Sequence, residues 1–162
     1  MNRRHKRRLV KAVYKVHDFP ALDEYGSRIF RRPVKGTWRM FRHIVRMANA
    51  DIWGWSNDKE RASYPGNAEV PTFEEFATFM FHEAAHGWCY FLKDRPSLWH
   101  YPTGVDEEQV CWDVSKIVCG MLGISYQEEL AEMSHRFHRL VQAGDIEGIR
   151  RLIGQMPEHL QP

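Results

Sequence analysis

The chain has 162 residues, 43% of them apolar, which is enough for one domain with a substantial core and too apolar for a disordered segment. Three cysteines, Cys89, Cys111 and Cys119, are too few and too irregularly spaced for a disulfide framework, so a reducing, cytoplasmic setting is expected. The net charge of +2 hides an asymmetry: residues 1–70 hold 16 Lys/Arg against 7 Asp/Glu, a balance of +9, and residues 71–162 hold 7 against 14, a balance of −7.

In chain order, Met1–Arg8 is strongly basic and no long apolar run follows it. No signal peptide is expected, and these residues read as a flexible basic arm, with 9–162 as one domain. Leu9–Val16 fits a helix through Leu9, Ala12, Val13 and Val16, and fits a strand through Val10, Ala12, Tyr14 and Val16 almost as well. Ser27–Arg32, before Pro33, reads as a short edge strand. Trp38, Phe41, Ile44, Val45 and Ala48 form an apolar stripe opposite Arg39, Arg42, His43 and Arg46, the pattern of a basic amphipathic helix. Ala50–Trp55 reads as a strand and 56–71 as a loop. The basic half has two readings, a face that tracks nucleic-acid phosphates or a solvated face docked on the acidic half.

Thr72-Phe73-Glu74-Glu75 after Pro71 is a capping box, predicting a helix from about Phe73 to Leu92. It is apolar nearly all round, as a helix buried on most sides must be. It is long enough to cross a bilayer, but Glu74, Glu75, Glu83 and two histidines exclude that, and no membrane partner is expected. Into this apolar surround falls His82-Glu83-Ala84-Ala85-His86, an H-E-x-x-H motif. On a helix the two imidazoles stack one turn apart and can take two corners of a tetrahedral Zn²⁺ site. Glu83 lies round the helix, where a carboxylate can take a proton from an attacking water without ligating the metal. Without partners, these buried polar groups would cost several kcal/mol each, a cost that a metal answers.

A catalytic zinc site needs a third protein ligand. After an irregular connection, 93–104, a second helix is predicted from Val105 or Asp106 to Gly120 or Gly123, with Val110, Cys111, Val114, Ile117, Val118 and Met121 in one stripe. Setting Val110, Val114, Val118 and Met121 against the core makes Glu107 the first choice and Glu108 the fallback. Cys89 with Cys111 could instead complete a closed His₂Cys₂ site, which would leave Glu83 without a task; His100 could also ligate, and Asp113 could orient a ligating imidazole. Ser125-Tyr126-Gln127-Glu128 reads as a second capping box opening a third helix that Gly144 closes, and 145–154 as a short last helix.

The motif, followed by an acidic helix start at Glu107-Glu108, resembles zincin-type zinc metallopeptidases, of the gluzincin kind. The small phage and mobile-element domains, including the ImmA/IrrE type, are similar in style. The resemblance covers roughly 72–122. It implies Zn²⁺ held by His82, His86 and, by position, Glu107, with Glu83 as general base, and a peptide or protein substrate. The fold expected is α+β, mainly helical: a zincin-like metal helix packed with further helices and a small N-terminal sheet, whose edge, Ile52–Trp55 or Ile29–Arg32, would hold extended peptide. The alternative is a catalytically silent, zinc-stabilised binding protein that contacts nucleic acid through its basic half.

Overall fold

Thirteen residues from Arg3 to Lys15 form α1, with Leu9 and Val13 turned into the core. The helical reading of this segment therefore prevails, and residues 3–8 of the basic arm belong to the same helix. The computed structural model describes residues 3–47, 54–56, 61–63, 72–93 and 105–155. These form seven helices: α1, α2 (Pro20–Phe30), α3 (Thr37–Met47), α4 (Phe73–Leu92), α5 (Glu107–Leu122), α6 (Glu128–Ala143) and α7 (Ile146–Gln155).

Among the described residues, the expected N-terminal sheet does not form beyond one two-stranded hairpin. Of Ser27–Arg32, read as an edge strand, Ser27–Phe30 is the last turn of α2 and Arg31 and Arg32 follow it in a turn. Pro20 starts that helix, where its fixed φ helps and its missing N–H costs nothing. Leu22, Tyr25 and Gly26 line its buried face. Gly26 permits the close packing of α2 on α4, since a β-carbon there would meet Trp88 Cζ2 at 3.0 Å. Arg31, at φ 51, ends the helix in the left-handed region. The fold is helical rather than α+β. The strand pairing among the described residues is one antiparallel hairpin, β1 (Gly54–Ser56) with β2 (Arg61–Ser63), lying against α3 and α4. Of the expected strand at 50–55, residues 50–53 lie outside the described residues; of the expected loop at 56–71, Ser56 and Arg61–Ser63 are strand instead, and 57–60 and 64–71 lie outside the described residues.

The α4 helix is the axis of the molecule, and its most extensive neighbour is α5. Thr72 Oγ1 accepts from Glu75 N at 3.2 Å and Glu75 Oε2 accepts from Thr72 N at 2.8 Å, completing the predicted capping box. Phe81, Ala84, Ala85, Trp88 and Cys89 are fully buried, and burying a side chain such as Trp88 or Phe81 contributes about 3 kcal/mol. None of the described helices is long and apolar enough to cross a membrane.

Asp23 ties α2 to the start of α3. Its Oδ1 accepts from Thr37 N (2.9 Å) and Thr37 Oγ1 (2.6 Å), and its Oδ2 accepts from Gly36 N (2.8 Å). Burial alone would raise its pKa, but the bonds from Thr37 and Gly36 hold it below the usual carboxylate value. The contribution is therefore present at neutral pH and lost as pH falls through that depressed value. Asp23→Ala is expected to cost about 1–2 kcal/mol at pH 7, read by denaturant titration; an unchanged midpoint would show that the cap contributes nothing.

The capping box expected at Ser125 does not form. The α6 helix starts two residues later than that box would place it, at Glu128 rather than Tyr126, because the Gln127 N–H is taken by Thr78 Oγ1 at 3.2 Å and Glu128 pairs with Lys116.

Candidate metal centre

The site lies where α4 faces the first turn of α5, with α6 alongside. His82 and His86 project from one face of α4, their Nε2 atoms 3.1 Å apart. Glu108 reaches across from α5, placing Oε2 3.4 Å from His82 Nε2 and Oε1 3.2 Å from His86 Nε2. A tetrahedral zinc with ligands at ~2.0–2.1 Å requires donors ~3.3 Å apart; the imidazole pair has about that separation, and each imidazole has it from one of the two oxygens of Glu108. Glu83 is buried on α4 with Oε1 3.9 Å from His82 Nε2, beside the three donors.

The two acidic residues at the start of α5 take different tasks. Glu107 Oε1 binds the other nitrogen of His86, Nδ1, at 3.0 Å, and Oε2 accepts from Lys93 Nζ at 2.6 Å. A carboxylate on the far nitrogen fixes the orientation of a metal-ligating imidazole. Sequence reasoning favoured Glu107 for the donor position; the structure brings Glu108 to both Nε2 atoms and sets Glu107 behind His86. The helix face explains why. Trp112, Ser115 and Cys119 are buried in α5, while Met121, assigned to the inward stripe, is exposed. Ser115 can be buried because its hydroxyl donates to the Thr78 carbonyl at 2.7 Å. This turns the inward face by about one position and carries Glu108 towards α4.

Trp112 stacks on His82, with ring centroids 3.7 Å apart and planes 28° apart. Nδ1 of His82 is buried without a hydrogen-bond partner among the described residues, so stacking rather than a second carboxylate holds this ring. The sequence signal for Trp112 was its i+4 spacing from Glu108, which puts both on one side of α5.

On α5, Asp106 caps the helix, its Oδ1 accepting from Glu108 N at 3.0 Å. Its Oδ2 lies 3.1 Å from His135 Nε2 of α6, so α6 steadies the turn that carries both glutamates. His138, also on α6, sits with Nδ1 3.9 Å from Glu108 Oε1. Neither histidine was singled out by the sequence, since nothing in the spacing ties α6 to α4.

The charges follow from these contacts. Burial lowers the pKa of His82 to about 4, with Glu108 only partly opposing it. Burial also disfavours charge on His86, but Glu107 and Glu108 outweigh it and raise its pKa well above the ordinary value. Burial would raise both glutamates; hydrogen bonds from His86 and Lys93 instead bring Glu107 to about 2, and those from His82 and His86 hold Glu108 far below the carboxylate range.

Of the rival ligands, Cys111 lies in a second cluster with His86 and Glu107, their ligand atoms within 4.8 Å of one another. Burial, then the neighbouring Cys89 and the two glutamates, push its thiol up, away from the thiolate that a metal needs. Cys89 is buried and joins neither cluster among the described residues. Asp113 is engaged elsewhere, accepting from Tyr25 Oη at 2.7 Å and Gln109 Nε2 at 2.9 Å. His100 lies outside the described residues. In comparisons with known protein families, curated proteins and solved structures, the chain matches none.

Proposed function

We propose that this protein is a zinc-dependent hydrolase of the metallopeptidase type, with His82, His86 and Glu108 as ligands and Glu83 as the general base. The observation that carries the reading is the convergence of His82, His86 and Glu108, whose ligand atoms lie within 4.8 Å of one another, with a fourth side chain, Glu83, buried beside them. Zinc held there would lower the pKa of a water towards ~7 and polarise a scissile carbonyl. Glu83 accepts the proton of the attacking water and returns it to the leaving amine. Glu107 holds His86 in register, and Trp112 excludes water from one side of His82. The hydrophobic helical surround supplies the low dielectric in which these charges act strongly. The three cysteines, all buried as thiols, suit a reducing compartment such as the cytoplasm.

Metal analysis of the purified full chain tests the centre itself. We expect one zinc per chain and an absorption-edge signature of nitrogen and oxygen neighbours at ~2.0–2.2 Å. Metal-free protein that does not take up zinc would overturn the proposal. A sulfur neighbour at ~2.3 Å would do the same, since it would place the metal in the Cys111 cluster.

A further inference from the structure

We infer that the outer face of α1, with the end of α3, is a binding surface for single-stranded nucleic acid, independent of the proposed metal centre. A groove of about 460 Å³ runs between these helices. Its seven lining residues include five cations, Arg3, Lys6, Arg7, Lys11 and Arg46, and no carboxylate. Val10 and Tyr14 complete its lining. On the other flank of α1 a second groove, of about 430 Å³, shares Lys11 and adds Arg8 and Lys15. Cationic surface therefore continues around the helix.

Among the described residues, several of these cations are left unpaired by the acidic half. Arg8 pairs with Glu74 at 3.8 Å, but Arg3, Arg7, Lys11, Lys15 and Arg46 form no ion pair with a described residue. α1 itself contains no acidic residue. Such a concentration of one sign attracts a polyanion.

Two features separate nucleic acid from an anionic membrane. Leu9 and Val13 of α1 are 1% and 0% exposed, spent on the core, which leaves Val10 and Tyr14 on the groove, too small an apolar face to insert among acyl chains. Tyr14, 39% exposed, lines the groove with the Arg42 guanidinium 5.0 Å from its ring centroid. Arg42 also donates from Nη1 to the Val16 carbonyl at 3.2 Å, which anchors it. A braced aromatic ring among cations is a platform on which an unpaired base stacks, with its flanking phosphates on the arginines and lysines.

Fluorescence anisotropy on the full chain, with a labelled single strand, the same sequence as duplex, and phosphatidylserine vesicles, tests this. If Arg3, Arg7, Lys11 and Arg46 each meet one phosphate, affinity for the single strand falls about 50-fold between about 50 and 200 mM salt. In a Lys11→Gln, Arg46→Gln double variant that loss shrinks to about sevenfold. Tyr14→Ala is expected to weaken the single strand about tenfold while leaving the salt dependence unchanged. All three positions are exposed, and circular dichroism verifies that the variants keep their helices. Affinity that ignores salt, or vesicles bound as tightly as the oligonucleotide, would overturn the surface. Equal affinity for the duplex with no effect of Tyr14→Ala would overturn the single-stranded assignment.

Discussion

Glu83→Gln is expected to lower peptide hydrolysis about 10²–10⁴-fold while leaving the zinc content unchanged. Glutamine has the size and packing of the glutamate it replaces, so α4 keeps its burial and the two imidazoles keep their positions. The amide cannot accept a proton, and proton acceptance is the only task assigned to Glu83. Its carboxylate stands 3.9 Å from His82 Nε2, close to the donors without joining either cluster of candidate ligands. Single-turnover cleavage of a mixed peptide pool, run beside elemental analysis of the same sample, separates lost chemistry from lost metal. A Gln variant that cleaves at the wild-type rate removes Glu83 from the mechanism.

The second large effect distinguishes the neighbouring glutamates. Glu108→Gln is expected to lower zinc affinity more than about a hundredfold, whereas Glu107→Gln lowers it about 10–100-fold, as loss of an orienting partner does. The reason lies in which nitrogen each carboxylate meets. Glu108 faces Nε2 of both histidines, and without its charge two imidazoles 3.1 Å apart must hold a dication alone. Glu107 meets only Nδ1 of His86 and shares its charge with Lys93, so its loss loosens one ring. Competition against a chromophoric chelator gives both affinities. If Glu107→Gln is the more damaging variant, the metal belongs to the cluster of His86, Glu107 and Cys111 instead.

Several elements were legible from local patterns because their signals are short-range. The capping box at Thr72 and Glu75 set the start of α4, and the four-residue spacing of His82 and His86 put both rings on one side of it. Gly123 and Gly144 closed α5 and α6 in the left-handed conformation that glycine adopts most cheaply. Readings failed where a distant partner decided. Ser27–Phe30 has strand-like composition, yet the buried face built by Leu22 and Tyr25 extends α2 through it. Ser125 has the residues of a capping box, yet Lys116 took the Glu128 carboxylate and Thr78, 49 positions from Gln127, took the backbone N–H of that residue.

The sequence by itself determined that one helix would carry two histidines and a carboxylate in an apolar surround, and that a basic half would precede an acidic one. Periodicity, capping and composition act within a few residues, so no partner is needed to read them. Only the tertiary structure decided which glutamate of α5 faces both imidazoles, that Trp112 stacks on one of them, and that Arg3, Lys6, Arg7 and Lys11 of α1 line one groove with Arg46 of α3. Those outcomes depend on the rotation of one helix against another, which is set by how buried groups such as Ser115 find hydrogen-bond partners across the core.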